Sequence, residues 1–552
     1  MKKLPFFLLL PLLVGCSFPI DSSSETASSS EGETASQPEE SSSEEASSSA
    51  SSETPLSSED IPSSEGKSEE GSSFSFAEER TLDFYSINDY HGQIEATYAF
   101  PGIKTLGTYF KSKKQDGAIL INSGNMFQGS LESNYNRGNL LTDVMNEAHF
   151  DAFTLGNHEF DWGKEAIRNN KKRKGKDGYQ TPFLSANLYD YDGSEEGDVQ
   201  QSDLGGETSI VYADNGLKVG IIGAIGKNQI TSITSQYVAD LTFKDPMPIV
   251  KKLSDRLKKE EGCDLVVLSF HAAQVSALSQ GITSISPVSK KRYVDLVFCA
   301  HTHTKEKATE NGVLFTQNDD KGENASHVTL TVKPNGDVVS SLSTVRKADM
   351  EEEVQGNFDQ GIEEIVDSYA KVTDPIGKEV LGKSKGSFGN RSQAPVLMAE
   401  AILQEAQEEG LSVDLALVNQ ARANLPSGEL TYSALFEAFP FDNEIYVLEV
   451  SGTDLFAEAN YNYFARSRKE AFSKKGRYKI AVLDYLAFHQ NSQRVYDYFP
   501  SGSSLGKLEK EGSPYRYREI LAEAIRNGIS LNPGDYSTSL PRYSPSSLES
   551  SL

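Results

Sequence analysis

The sequence is poor in cysteine and in positive charge. Only Cys16, Cys263 and Cys299 occur in 552 residues. That number excludes a disulfide framework, although it allows a single bridge. Cys263 and Cys299 fall in apolar, strand-like runs, GCDLVVLSF and VDLVFCAH, and read as buried free thiols. Lys and Arg number 53 against 80 Asp and Glu, a formal net charge of -27, and no basic stripe offsets it. A nucleic-acid polymer is therefore not an expected partner, whereas a small anion can still bind at a local cationic site. The apolar stretch at residues 4–14 is too short to span a bilayer comfortably.

That stretch follows Lys2 and Lys3 and ends in Leu13-Val14-Gly15-Cys16. The arrangement resembles a bacterial lipobox. The resemblance implies a signal peptide over residues 1–15, a diacylated Cys16, and attachment to the outer face of the cell membrane. Residues 16–78 are mostly Ser, Glu, Thr, Pro and Ala and carry a large share of the negative charge. Such a segment buries too little apolar surface to offset its ordering entropy, so it reads as a disordered, self-repelling tether. An adhesive or glycosylated stalk fits the same composition. Residues 542–552 resemble a short tail of the same kind.

From Glu79 the texture changes. The runs TLDFYSI, AILINS, AFTLGN, KVGIIGAIG, DLVVLSFH, DLVFCAH and VLFTQ alternate with helical stretches, which predicts an α/β layered domain over residues 79–346. Residues 349–370 predict an amphipathic helix, which Asp374-Pro375-Ile376-Gly377 should end, so residues 347–375 read as a linker. A second domain is expected over residues 376–541. It opens with a helix from Ala394 and the strand VDLALVN.

Polar residues cluster where the strands of the first domain end: Asp89 and His91, Asn125, Asn157 and His158 with Asp161, His271, and His301 with His303. Sites in open α/β sheets form at the carboxyl ends of strands. Asp, Asn and His converging there suit a pair of divalent ions of the Mn, Zn, Fe or Co class rather than Ca or Mg. Two such ions, about 3.5–4 Å apart, can activate water and polarise a phosphate. Each piece alone is common; the five in this order, each after a strand, are specific.

NDYHG, SGNMFQGS, LGNHEFDWG, SFHAA and AHTH resemble the five metallophosphoesterase motifs of the 5′-nucleotidase family, which includes the periplasmic UDP-sugar hydrolase and ecto-5′-nucleotidase. The likeness spans roughly residues 80–500. It implies a four-layer αββα metallophosphoesterase sandwich, joined by a helix to a smaller α+β substrate-binding domain. It further implies that Asp89, His91 and His303 hold one metal, that Asn157, His271 and His301 hold a second, and that His158 with Asp161 forms the catalytic pair. One position departs from the pattern. Asn125 stands where the family has the aspartate that bridges both metals, and Asn122 also replaces a usual aspartate. An amide offers one neutral oxygen where a carboxylate offers two anionic ones, so weaker binding of the two ions is expected, with one ion alone as the alternative.

In the same family the C-terminal domain selects the substrate through arginines for phosphate and an aromatic pair for the base. Matching RSQAPVLMAEAI, VNQARANLPSGELTYSALFEAFPFDNEI and LDYLAFHQN to that region implicates Arg391, Asn419, Arg422, Phe441, Tyr485 and Asn491. Phe441 and Tyr485 also read as core, and Arg391 and Arg422 as ion-pair partners; the surroundings of Arg422 match best. His489 and Gln490 replace family glycines, which points to a drifted specificity. The resulting expectation is an extracytoplasmic metal-dependent hydrolase of nucleotides or related phosphate esters. The alternative is an inactive lipoprotein that binds a nucleotide-like ligand. A surface interaction protein dominated by the stalk is a third reading that nothing in the motifs favours.

Overall fold

Strand Arg80–Ile87 lies at the middle of a six-stranded sheet because its two neighbours differ in kind. It pairs antiparallel with Asn324–Val332, which continues to Val338–Arg346. On its other side it pairs parallel with Ile119–Asn122, followed by Ala152–Thr154 and Phe183–Leu184. A second six-stranded sheet is parallel through Val313–Gln317, Leu296–Cys299, Leu265–His271 and Lys218–Ile225, with antiparallel edges at Glu306–Glu310 and Thr208–Tyr212. Every residue of Leu265–His271 is buried, as expected for a strand covered on both faces. The computed structural model describes residues 77–191, 200–459, 461–466, 472–488, 498–510, 513–514 and 516–536. Cys16, the Ser/Glu-rich segment, Asn491 and the C-terminal tail lie outside the described residues.

The two sheets face each other across Phe84, Ile121, Val219, Val267, Phe298 and Leu330. Helices Gly102–Gln115 and Asn139–Glu147 cover the outer face of the first sheet. Helix Pro246–Asp255 covers the second with Met247, Val250 and Leu253. The layers are therefore helix, sheet, sheet, helix, as the sequence led us to expect. Cys263 and Cys299 are free and buried in the layer under that second helix.

The connection to the second domain differs from the expected single helix. It comprises Lys347–Val354 and Gln360–Gly377. The break falls at Gln355 and Gly356, with φ 51° and 72°, and the Asp359 side chain caps the second helix by accepting from Ile362 N at 3.1 Å. The Asp374–Gly377 segment, read as the breaker, is instead the last turn. Pro375 has no N–H to give the Lys371 carbonyl, but only Ile376 and Gly377 follow it in the helix, so little of the helix continues past the interruption. The second domain is a five-stranded sheet ordered Tyr463–Arg466, Leu415–Val418, Arg477–Leu483, Ile445–Ser451, Ser503–Lys507, with helices Gln393–Glu408 and Tyr517–Arg526 packed on it. Its sheet is mixed rather than parallel, with one parallel pairing, between Leu415–Val418 and Arg477–Leu483.

Candidate metal centre

The loops after five strands meet at one point. Asp89 follows Arg80–Ile87, Asn125 follows Ile119–Asn122, Asn157 follows Ala152–Thr154, His271 ends its strand, and His301 and His303 follow Leu296–Cys299. The backbone there is unusual. Asp89, His91, Asn125, His301 and His303 have φ of 48°, 50°, 56°, 80° and 53°. Left-handed backbone costs a non-glycine residue about 1–3 kcal/mol, and Asp, Asn and His tolerate it best. Five such residues persist together only because their surroundings fix them.

Glu159 does much of that fixing. Its buried carboxylate accepts from Asn125 N at 2.9 Å, Met126 N at 2.8 Å, Phe127 N at 3.3 Å and Gly156 N at 2.7 Å. It thereby ties the SGNMF loop to the LGNHE loop. Burial pushes its carboxyl up to about 7, against the pull of those four N–H groups. Glu159 stands within LGNHEFDWG, where nothing in the sequence alone assigns it a role. Two glycines permit the close approach: a Cβ on Gly124 would stand 2.6 Å from His271 Nδ1, and one on Gly156 2.4 Å from Asn125 Oδ1.

Asp89, His91 and His303 form one group whose ligand atoms all lie within 4.8 Å of one another. His91 Nδ1 faces the Gln128 carbonyl at 3.1 Å, so it carries the proton and Nε2 turns to the cluster. There it meets His303 Nε2 at 3.0 Å, and His303 Nε2 is 3.5 Å from Asp89 Oδ1. Asp89 Oδ2 accepts from His301 N at 2.7 Å and Asn88 Nδ2 at 2.9 Å. Although burial opposes it, the His303 contact and the nearby imidazoles hold Asp89 well below the usual carboxylate range. Asp89 in turn draws His303 upward against its own burial. A spot that attracts a proton in this way attracts a metal cation, and a carboxylate with two imidazoles is a fitting donor set.

Asn157 Oδ1 gathers a second group. It lies 3.1 Å from His271 Nε2 and 3.2 Å from His301 Nδ1. His271 Nδ1 faces the Ser123 carbonyl at 2.8 Å, which again leaves the other ring nitrogen for the cluster. Burial lowers His271, and burial with His271 lowers His301 to about 4. Asn125 lies between the groups: its Nδ2 is 2.9 Å from Asp89 Oδ1 and 3.3 Å from Asn157 Oδ1. The first group fits a divalent ion. Between the groups stand the Asn125 amide hydrogens, facing Asp89 and Asn157. Beside the cluster, His158 Nδ1 is 2.9 Å from Asp161 Oδ2. Burial, then Arg422, hold His158 well below the ordinary histidine value, and burial pushes Asp161 well above its own.

Residues 82–305 match the calcineurin-like phosphoesterase family, and residues 380–458 match the 5′-nucleotidase C-terminal domain. The chain joins a calcineurin-like phosphoesterase to a 5′-nucleotidase C-terminal domain. It is 24% identical over 408 residues to an endonuclease of Bacillus subtilis, covering 68% of this chain but only 32% of that protein. It is 25% identical over 448 residues to an apyrase of Tabanus yao, covering 72% of this chain and 76% of the apyrase. Its fold resembles a 5′-nucleotidase precursor from Thermus thermophilus with a TM-score of 0.64 at 17% identity, covering 81% and 96% of the two chains. Calcineurin-like phosphoesterases use divalent metal ions, and Asp89, His91 and His303 form a group able to hold one.

The 5′-nucleotidase domain reaches the phosphoesterase site through two side chains. Phe441 stacks on His158, with ring centroids 5.8 Å apart and planes at 27°, and Arg422 lies 5.0 Å from the centre of the same ring. Arg422 is felt electrostatically at His91, His158 and His303. Arg391, Asn419 and Tyr485 belong to the same second domain. Arg391 is exposed just before helix Gln393–Glu408, and its carbonyl accepts from the Tyr463 hydroxyl at 2.7 Å. Asn419 is half-buried after Leu415–Val418. Tyr485 pairs with Tyr498 at 5.8 Å and packs on the domain core.

Phe441 lines a cleft whose other walls include Trp162, Tyr237, Asp442, Asn443 and Asp484. Of these, Trp162 and Tyr237 belong to the phosphoesterase domain and were missed from sequence: Trp162 lies within LGNHEFDWG but carries no ligand atom to mark it, and Tyr237 lies in no motif. Arg518 was also missed. It is buried on the C-terminal helix and donates to the carbonyls of Phe439 and Phe441, each at 3.0 Å, and to Asp442 Oδ1 at 2.7 Å. It holds the turn that presents Phe441.

Proposed function

We propose that this protein is an extracytoplasmic phosphoesterase that takes nucleotides or related phosphate esters into the cleft between its two domains. Its metal centre is weakened at Asn125. One observation carries the reading: Phe441 of the second domain stacks on His158 and carries Arg422 against its ring, beside the Asp89–His91–His303 group. Its place outside the cytoplasm rests on Leu13-Val14-Gly15-Cys16.

Asp89, His91 and His303 would hold a divalent ion, which supplies Lewis acidity and a more acidic water when bound. Asp161 takes the Nδ1 side of His158 and orients the ring, leaving Nε2 to donate to a phosphate oxygen as charge develops. At rest, burial and Arg422 keep that imidazole neutral. An arriving phosphate offsets Arg422 and raises the affinity of His158 for a proton. Arg422 offers a fork of donors to the phosphate. Trp162, Tyr237 and Phe441 offer apolar walls to the leaving group, and Asp442 and Asp484 offer acceptors for hydroxyl or amino groups.

A second reading, ligand capture without turnover, is favoured by the amide at Asn125. Phosphate release is measured with millimolar Mn, Co or Zn and a panel of AMP, ADP, a UDP-sugar and a simple aryl phosphate. Turnover that falls by about 100-fold or more in His158→Ala supports the enzyme. Release from another ester but not AMP supports drifted specificity. Binding without release supports capture, and no binding at all sinks both readings.

A further inference from the structure

We propose that the Asn125 amide is locked with its nitrogen toward the cluster. The protein then holds one divalent cation, at Asp89–His91–His303, and none at Asn157–His271–His301. The inference rests on the reading of this cluster as a metal centre and specifies its occupancy.

The lock follows from donor and acceptor types. The backbone N–H of His158 donates to Asn125 Oδ1 at 3.0 Å. A backbone N–H can only donate, so this contact requires the amide oxygen on that side. The nitrogen then faces Asp89 Oδ1 at 2.9 Å and Asn157 Oδ1 at 3.3 Å, and donates to both. A half-turn of the amide would set NH2 against the His158 N–H and the oxygen against two further oxygens, reversing three favourable contacts at once. The orientation of an amide is decided by its hydrogen-bond network, and this network admits one.

The side chain cannot move away to relieve the conflict. Asn125 is 1% exposed. Its own N–H is held by Glu159, its backbone is left-handed, and Gly156 passes close by. The amide hydrogens therefore point into the place where an ion shared by the two groups would need an oxygen.

Charge separates the two groups. Asp89 is the single anion among Asp89, His91, Asn125, Asn157, His271, His301 and His303, and its Oδ1 faces the first group. The second group offers one amide oxygen and two imidazoles, all neutral, and His271 is fully buried. A dication there would have no carboxylate in its own donor set, with Asp89 reaching that group only through the His301 N–H, and would face amide hydrogens. The Asn125 NH2 instead links Asp89 to Asn157 directly and does the organising that a second ion would otherwise do.

The test is metal stoichiometry on the full chain, stripped with chelator and dialysed against Mn(II), read by elemental analysis and electron paramagnetic resonance. The native protein should bind one Mn per chain with an uncoupled spectrum. Asn125→Asp, which is isosteric, should bind two with a spin-coupled spectrum. His303→Ala should lose the ion of the native protein, whereas His301→Ala should keep it, with circular dichroism confirming that both fold. Two ions in the native protein would overturn the proposal, as would loss of the single ion in His301→Ala, or one ion in Asn125→Asp. No ion in either the native protein or Asn125→Asp would instead refute the metal-centre reading on which the proposal rests.

Discussion

Glu159 offers the sharpest test of how the site is built. Four backbone N–H groups from two loops converge on one buried carboxylate, at 2.7 to 3.3 Å. Glu159→Ala removes every acceptor at once. An orphaned buried donor costs about 1–3 kcal/mol, and water entering the vacated space can satisfy about two of the four. The net loss is then about 4 kcal/mol. At about 2–4 °C per kcal/mol for a domain of this size, the melting temperature should fall by about 8–16 °C. Glu159→Gln keeps the volume but turns a donor toward two donors, so it should fall by a similar amount. That excludes an empty cavity as the cause. The assay is thermal unfolding by circular dichroism, paired with Mn(II) titration, because the same loops carry Asn125 and Asn157. A shift under about 2 °C in both variants would refute the argument that Glu159 clamps the loops. A large shift with unchanged metal affinity would refute the argument that the clamp sets the site.

Two further outcomes follow from the cleft. Arg422→Ala removes the guanidinium that overlies Phe441, and with it a charge-assisted hydrogen bond of about 1.5–3 kcal/mol to phosphate. In steady-state kinetics kcat/KM for any ester that the native protein turns over should fall by about 10–100-fold, and an unchanged value would remove Arg422 from the site. Asp484 is buried, accepts from Asn443 Nδ2 at 2.6 Å, and is pushed up to about 6 by burial. Its pKa is higher folded than unfolded, so the folded state keeps the proton while the unfolded state releases it. Stability should therefore decline as pH rises from about 4 to about 6. Asp484→Asn should flatten that part of the profile of denaturant-unfolding free energy against pH, and an unaltered slope would count against it.

The first domain was legible because its strands are short, apolar and bounded by polar residues. A run such as LVVLSFH is buried throughout, so its pattern survives without knowledge of its neighbours. The linker was less legible. Pro375 is a strong local signal against a helix, yet it marks where the helix ends rather than preventing it, with only Ile376 and Gly377 beyond. Gln355 carries no signal at all, although the chain turns there with a left-handed backbone. The cleft was the least legible part. Trp162, Tyr237 and Asp484 reach it from separate segments, and only tertiary structure brings them together. Asp484 lines the cleft at the start of the short helix Asp484–Ala487, and the next residue, Tyr485, pairs with Tyr498.

The site itself divides along a different line. Which residues meet could be read from strand ends, because Asp, Asn and His after five successive strands have one place to converge. What each meeting atom offers could not. Read from sequence, Asn125 is a loss of charge. The structure adds that its oxygen is already committed to the His158 N–H and that its nitrogen joins Asp89 to Asn157. An aspartate in that position would accept the same N–H with one oxygen and present the other to the cluster. A single atom thus changes from acceptor to donor while the surrounding hydrogen bonds stay in place. The neighbours that would hold an aspartate there also hold the amide in the one orientation that excludes a bridging ion.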